Sequence, residues 1–144
     1  MLDSLGGRFK DYAPFVLRLG LGIVFLYHGS QKLFGLFGGP GLTAFSGFIG
    51  HLGLHPPMLW AVLAAVAEFL GGLFVLLGFM TRYAAGGLVC VMLVAVVTAH
   101  RWQVFSKPEA ELAFACLAMS TALFFLGGGE LSLDLKRRRK KERT

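Results

Sequence analysis

The segment LYHGSQKLFG, residues 26–35, places a histidine, a glutamine and a lysine within five positions of a mainly apolar run: His28, Gln31 and Lys32. A carboxylate, Glu68, interrupts a second apolar run, AVAEFLGG. A histidine and a carboxylate can take up and release protons, and a lysine can donate hydrogen bonds to a carbonyl or an anion. These residue types therefore suit proton transfer or the binding of a small polar group, provided that the fold brings the two segments together.

The composition of the chain is that of an integral membrane protein. Hydrophobic residues make up 56% of the 144 positions, and the mean hydropathy of +0.68 exceeds that of ordinary soluble domains. At membrane depth an ionisable side chain is costly, so it pairs with another group or marks a functional path. Glu68 is the most demanding of these residues, because a carboxylate in the middle of a span needs a partner or a proton.

Four apolar runs have the length of roughly 20 residues that a ~30 Å hydrocarbon core requires. They cover about residues 14–34, 57–79, 82–100 and 109–127. We predict an all-α membrane protein in which these spans form a four-transmembrane-helix bundle. The bundle makes a single domain over residues 1–135, and residues 136–144 form a basic tail after it.

Lysine and arginine are distributed unequally between the two ends of the spans. One end carries Arg8, Lys10, Arg82 and the seven basic residues of 136–144, whereas the other carries Lys32, Arg101 and Lys107. Positive charge accumulates in cytoplasmic segments, so both termini are predicted to be cytoplasmic. The loop between the first two spans is then on the outer face. Its segment TAFSGFIGHLGL has apolar residues at helical spacing, which predicts a short amphipathic helix that lies on that face as a lid.

Counting about 1.5 Å per helical residue places several polar residues at a similar depth. His28 falls in the outer half of the first span, with Lys32 one turn further out. The predicted polar cluster, drawn from all four spans, comprises His28, Gln31, Lys32, Glu68, His100 and Glu111. Simpler interpretations remain open: Lys32 can snorkel to the interface, His100 and Glu111 lie near span ends, and His28 can bond a neighbouring helix.

Three other features favour structural interpretations. Arg18 lies near the cytoplasmic end and is predicted to pair with Glu130 or Asp134, with Asp134 as the preferred ion-pair partner. Cys90 and Cys116 lie in apolar segments without a C-x-x-C motif, which indicates apolar packing. No metal site is predicted, because the Glu-x-x-His spacing of metal-binding bundles does not occur in the sequence.

Long stretches of the chain resemble the DoxX family. The resemblance lies in RLGLGIVFLYHGSQKLFG, in AEFLGGLFVLLGFMTRYAA, in the acidic opening of the last span and in LGGGELSLD, and it extends from about Phe15 to Asp134. It implies a four-helix protein of the bacterial inner membrane. Members of that family include the small membrane subunit of a thiosulfate:quinone oxidoreductase and components of a mycobacterial oxidoreductase complex. Distant four-helix relatives act in cargo export or receptor assembly, so the fold alone does not define the function.

The resemblance favours a redox-associated subunit that binds a quinone headgroup or a small sulfur- or thiol-derived substrate. In this hypothesis Glu68 and His28 are the catalytic proton-transfer groups, and the substrate is bound by Lys32, Gln31, His100 and Glu111. The sequence shows no cofactor motif, quinone is a candidate that the resemblance implies, and electrons have to come from a bound cofactor or a partner. The alternatives are a non-catalytic assembly partner and, as an oligomer, a small-molecule transporter.

The expected partners are inferred from charge and from the missing electron carrier. The basic tail KRRRKKERT is expected to bind anionic lipid headgroups. Nucleic acid is excluded as a partner, because the basic residues are not interleaved with the aromatic residues that single-strand binders use. A protein partner or a homo-oligomer is expected in addition.

Overall fold

In the computed structural model, which describes residues 10–101, 103, 105 and 107–143, six α-helices carry the fold. They are α1 (Ala13–Phe34), α2 (Gly41–His51), α3 (Pro57–Leu77), α4 (Thr81–Val94), α5 (Pro108–Leu126) and α6 (Leu133–Lys141). Short 3-10 turns precede and follow α1, and α4 continues as a π-helix over Ala95–Ala99. The described residues contain no strand.

The helices α1, α3, α4 with its π-helical end, and α5 are long and apolar enough to cross a membrane. The predicted four-helix membrane bundle is confirmed. Proline stands in the first turn of α1, α3 and α5, where its missing N–H costs nothing. Gly35 and Gly78 end α1 and α3 with φ of 69° and 66°, the left-handed conformation that glycine adopts most easily.

The helices form a ring in which α1 packs on α3, α3 on α4, and α4 on α5. The fourth contact, between α1 and α5, is the least extensive of the ring. Two glycines bring α1 and α3 unusually close: a Cβ on Gly29 would lie 2.6 Å from the Phe69 nitrogen, and one on Gly72 would lie 2.7 Å from the Leu26 nitrogen. Because Lys32 lies one turn beyond Gly29, this close approach sets it opposite Glu68.

Helix α2 packs across α3 at one end of the bundle. It buries Phe45, Ser46 and Ile49 and leaves Phe48 exposed. Phe45 and Ile49 pack with Ala61 and Ala65 of α3 in a small apolar cluster. The short amphipathic helix that the spacing predicted is therefore present. We call this end of the molecule, which also contains Lys32 and Glu68, the cavity end.

Both ends of the described chain meet at the opposite end of the bundle, which we call the terminal end. There the Glu130 N–H donates to the Asp11 carbonyl at 3.3 Å. Ser132 opens α6, because its Oγ accepts a hydrogen bond from the Leu135 N–H at 3.1 Å. The predicted domain boundary at residue 135 falls inside α6, so the first part of the basic segment is helical through Lys141.

The predicted Arg18–Asp134 ion pair requires correction. Arg18 is buried, and its guanidinium donates to the carbonyls of Gly128, Val75 and Leu131 at 2.7, 3.1 and 3.2 Å. The salt bridges among described residues do not include Arg18 with Asp134. The reason is that carbonyls near the end of α3 and in the loop after α5 have acceptor capacity to spare, and a guanidinium supplies five donors to them.

Asp134 instead caps the N-terminus of α4. Its carboxylate accepts hydrogen bonds from the Met80 and Thr81 N–H groups at 2.7 and 2.8 Å, and from the Thr81 hydroxyl at 2.7 Å. Free N–H groups at a helix start attract an acidic side chain, and the guanidinium of Arg18 has carbonyl partners of its own. Arg18 and Asp134 thus stabilise the same end of the bundle through different backbone groups.

Candidate functional site

A buried ion pair connects α1 to α3 at the cavity end. The Lys32 Nζ lies 2.5 Å from Oε1 and 2.6 Å from Oε2 of Glu68. Glu68 is 2% exposed and the Lys32 side chain 25%. The ammonium bonds both carboxylate oxygens, so Glu68 has the partner that a charge in an apolar bundle requires.

The ion pair is covered on one side by α2. The Lys32 Nζ lies 5.1 Å from the centre of the Phe45 ring, a cation–π contact that helps hold the ammonium in place. Phe45 belongs to the buried face of α2. The predicted lid helix therefore contacts the charged pair directly, a relation that the spacing of its apolar residues did not reveal.

A cavity of about 250 Å³ borders the ion pair between the four spanning helices. Its polar lining consists of His28, Lys32, Glu68, His100, Glu109 and Cys116. Its apolar lining consists of Val24, Phe25, Met92, Ala95, Leu112 and Ala113. Mainly apolar walls with a few convergent polar groups are typical of small-molecule sites, and the volume lies just below the common range of about 300–1,000 Å³. The cavity can hold a small molecule or the headgroup of a larger one.

Four of the six residues predicted to form a polar cluster meet at this cavity: His28, Lys32, Glu68 and His100. Gln31 does not line it. Its main chain and Cβ instead contact Gly39 in the turn between α1 and α2, and its carbonyl accepts from the Gly35 N–H at 3.1 Å. Gln31 thus contributes to the end of α1 and not to the cavity wall.

Glu111 is exposed and does not line the cavity, whereas Glu109 does. The two residues are two positions apart on α5, and such residues do not share a helix face. The cavity face of α5 is Glu109, Leu112, Ala113 and Cys116, a spacing of three, four and seven residues. That spacing was visible in the sequence and would have selected Glu109 and added Cys116.

The π-helical end of α4 supplies two cavity residues, Ala95 and His100. The His100 N–H donates to the Ala95 carbonyl at 3.1 Å, the five-residue bond of a π-helix. One extra residue in this turn rotates the subsequent residues by about 100° relative to an uninterrupted α-helix. His100 therefore occupies a face that simple helical counting does not give, and π-turns of this kind are frequent at functional sites.

Metal binding has no ready ligand set in the described part of the chain, where no group of three or more His, Cys, Asp or Glu side chains could hold an ion. The side chains at the cavity supply two imidazoles, a lysine–carboxylate pair, a second carboxylate and a thiol.

Comparison with known proteins identifies the family. The sequence model of DoxX matches residues 13–101, which is more than half of the chain. The chain belongs to the DoxX family. The DoxX match covers α1 to α4 and includes His28, Lys32, Glu68 and His100, whereas the cavity residues of α5 lie beyond it. The family that the sequence motifs suggested is confirmed.

A curated DoxX-like relative is "Putative oxidoreductase CatD" of Bacillus subtilis (strain 168). It is 30% identical over 124 residues, which cover 86% of this chain and 86% of the relative. No solved structure matches this DoxX protein at a significant level. The chain is thus a multi-pass membrane protein of the DoxX family, similar to a protein named as an oxidoreductase.

Proposed function

We propose that this protein is a redox-associated membrane subunit that binds a quinone headgroup in the cavity beside Lys32 and Glu68. The observation that carries the proposal is the buried ion pair, which borders an apolar cavity lined by two histidines. The oxidoreductase name of the similar Bacillus subtilis protein supports the same chemical class. The cavity belongs to the membrane-spanning helices, and the membrane is where quinones reside.

The residues suit the two parts of a quinone headgroup. The apolar walls, among them Phe25, Met92 and Leu112, would contact the ring, and the Lys32 ammonium would donate a hydrogen bond to a carbonyl oxygen. Glu68 would keep Lys32 charged and oriented toward that oxygen. In this role Lys32 binds the substrate, and Glu68 holds Lys32 in position.

Reduction of a quinone to a quinol consumes two electrons and two protons. His28 and the Lys32–Glu68 pair border the cavity and would transfer the protons, each taking a proton up again before the next turnover. The electrons would come from a reduced cofactor on a partner protein, which we propose as the physiological partner of this subunit. A small sulfur oxyanion or thiol-derived substrate could use the same lysine and imidazoles, and it forms the second substrate class of the proposal.

A non-catalytic assembly role is the second candidate function. One observation favours it: the Lys32–Glu68 pair joins α1 to α3 and would fix their packing without any ligand. A double substitution separates the two functions. Lys32→Met with Glu68→Met removes both charges and keeps the side-chain volume. Replacing a buried ion pair by apolar side chains in this way often leaves the stability of a protein unchanged.

The test measures quinone binding by the purified protein in lipid nanodiscs, with native mass spectrometry of the extracted complex. The double variant should fold and keep its protein partner but lose quinone, and a variant of exposed Glu111→Gln should keep both. Unchanged quinone binding in the double variant would exclude the cavity as the site. Loss of the partner, with no quinone bound by wild type, would favour assembly. Sulfite and thiosulfate titrations of the same samples test the second substrate class.

We also propose that the terminal end faces the cytoplasm of a bacterial inner membrane. Basic side chains are concentrated there, including Lys10, Arg82 and those of α6, and positive charge is retained on the cytoplasmic side. Cysteines introduced at exposed Lys140 and at exposed Thr43 would be labelled by an impermeant thiol reagent from opposite sides. Labelling of Lys140→Cys in intact cells would contradict this orientation.

A further inference from the structure

A groove of about 640 Å³ lies at the terminal end, at the opposite end of the bundle from the proposed quinone cavity. It is bounded by the turn before α1, the first turn of α4, the glycine loop after α5, and α6. We call it the terminal groove. Because it shares no lining residue with the cavity at Lys32 and Glu68, it calls for an explanation that does not depend on the proposed redox function.

Four cationic side chains line the terminal groove: Lys10, Arg82, Arg137 and Arg138. The Arg82 Nη2 donates to the Phe125 carbonyl at 3.2 Å, and the Arg137 guanidinium lies 5.3 Å from the centre of the Phe79 ring. Among the described residues, no carboxylate forms a salt bridge with any of the four. None of the four is therefore held in a close ion pair with a carboxylate of the described chain.

Two of the three carboxylates in the groove have partners other than the four lining cations. Both oxygens of Asp134 accept hydrogen bonds from the start of α4, at 2.7 and 2.8 Å from the Met80 and Thr81 nitrogens. Glu130 Oε1 lies 3.1 Å from the Nη2 of Arg139, which is not part of the lining. Asp11 contributes the remaining carboxylate. The lining thus carries four cations and three carboxylates, and the charge of Glu130 is already balanced by Arg139, so the groove keeps an excess of positive charge.

The position of the groove indicates which anions reach it. Lys10 and Thr81 open membrane spans, and Leu126 closes one, so the groove lies at the level where spans end. Tyr83 and Phe125 are 78% and 71% exposed near the same level, as aromatic residues at a membrane interface are. Anionic phospholipid headgroups are concentrated at this level, and arginine binds phosphate oxygens through paired N–H groups.

We propose that the terminal groove binds a phosphate group, supplied by the headgroup of an anionic phospholipid, through Lys10, Arg82, Arg137 and Arg138. The groove replaces a diffuse attraction of the basic segment for the membrane surface with a defined site that the turn before α1, α4 and α6 build together. A lipid held there would contact three parts of the bundle at once and stabilise the assembled terminal end.

The test compares two double variants that remove the same number of charges. Arg82→Gln with Arg138→Gln removes two groove cations, whereas Lys136→Gln with Lys140→Gln removes two exposed cations of α6 that do not line the groove. Each protein is reconstituted in phosphatidylcholine nanodiscs and titrated with phosphatidylglycerol, and bound lipid is counted by native mass spectrometry. Inorganic phosphate is then added as a competitor. Thermal unfolding of each variant establishes whether it is folded.

The groove variant should bind phosphatidylglycerol roughly 10- to 30-fold more weakly than wild type, since each basic residue near a membrane contributes about a few-fold to tenfold. The α6 control should retain most of the affinity. Equal losses in both variants would reduce the effect to surface charge and overturn the proposal. Displacement of the lipid by millimolar phosphate would assign the site to soluble phosphate and overturn its assignment to lipid.

If Arg82→Gln fails to fold because its contact with Phe125 is lost, Lys10→Gln with Arg138→Gln provides the decisive variant. Lys10 and Arg138 take no part in the contact between Arg82 and Phe125 or in the salt bridges found among the described residues. Undiminished phosphatidylglycerol binding by that variant would equally overturn the proposal.

Discussion

The two ends of this membrane bundle each bury a charged side chain, and they neutralise it in opposite ways. At the terminal end, Arg18 donates to carbonyls of α3 and of the loop after α5. At the cavity end, Lys32 bonds a carboxylate, Glu68, on a neighbouring helix. The first arrangement neutralises the charge with backbone carbonyls, whereas the second uses two ionised side chains that are both costly in a membrane.

The surroundings of the two buried charges differ as well, because only one of them borders a cavity. Arg18 is 1% exposed and lines neither the cavity nor the terminal groove. Its N–H donors are used in hydrogen bonds to carbonyls inside the protein. Lys32 and Glu68 border the cavity, together with two histidines. The comparison shows that a buried charge in a membrane bundle does not by itself mark a functional site. A buried charge that also borders a cavity is the better indicator, because its remaining capacity for hydrogen bonding faces a space that a ligand can occupy.

The largest expected effect is on stability at the terminal end. Arg18→Gln would remove the guanidinium donors to the Gly128 and Leu131 carbonyls and one of the two donors to the Val75 carbonyl, and it should lower the free energy of unfolding by roughly 3–5 kcal/mol. Denaturant-induced unfolding in bicelles, followed by circular dichroism, measures this loss. Arg18→Lys should recover only part of it, because an ammonium cannot reproduce the guanidinium fork. If Arg18→Gln were as stable as wild type, Arg18 would not have the structural role that we assign to it.

A smaller stability loss is expected when the ion pair at the cavity end is broken. Glu68→Gln should cost roughly 1–3 kcal/mol, less than a fully buried unpaired charge, because the partly exposed Lys32 can turn toward solvent. The same unfolding assay, with the Lys32→Met and Glu68→Met double variant as control, isolates the effect of the unpaired charge. If the double variant is as unstable as Glu68→Gln, then packing and not charge explains the loss.

His28→Ala should affect ligand binding more than stability. The histidine borders the cavity and takes no part in the Lys32–Glu68 ion pair, so stability should change by less than roughly 1 kcal/mol while quinone binding falls about tenfold. His55→Ala, which replaces an exposed histidine outside the cavity, is the matched control. Isothermal titration with a short-chain quinone gives both affinities. Equal effects of the two substitutions would show that the cavity is not the binding site.

The smallest expected effect distinguishes two neighbouring glutamates. Glu109→Gln should change ligand affinity a few-fold, because Glu109 lines the cavity, and Glu111→Gln should leave it unchanged. The same titration compares the two, which carry an identical chemical change on one helix. A larger effect from Glu111→Gln would mean that α5 presents a different face to the cavity.

Much of this architecture could be predicted from patterns along the chain. The spans were predictable because a membrane requires about 20 apolar residues per helix, and proline and glycine mark their ends. His28, Lys32, Glu68 and His100 could be grouped by depth, since rise per residue is constant. Depth carries no information on rotation about the helix axis, which is why Gln31 and Glu111 were grouped with them although neither lines the cavity.

The partners of Arg18 and Asp134 could not be predicted from charge. Opposite signs favoured a direct ion pair, yet each side chain is bound by backbone groups. The number of unsatisfied carbonyls and N–H groups at the helix ends becomes known only when the ends are placed next to each other. The π-turn before His100 could not be predicted either, because no residue of the sequence AVVTA marks an inserted position.

The four-helix membrane architecture, the DoxX family, and a lysine and a glutamate at matching depth in the first two spans all follow from the sequence alone. Hydrophobic length, helix-end residues and family motifs are local properties of the chain. Three outcomes follow only from the packed structure: Lys32 meets Glu68 through the close contact of α1 with α3, Glu109 and not Glu111 faces the cavity, and Arg18 binds carbonyls. These outcomes depend on helix rotation and on the distance between backbones, which are set by packing among all four helices at once.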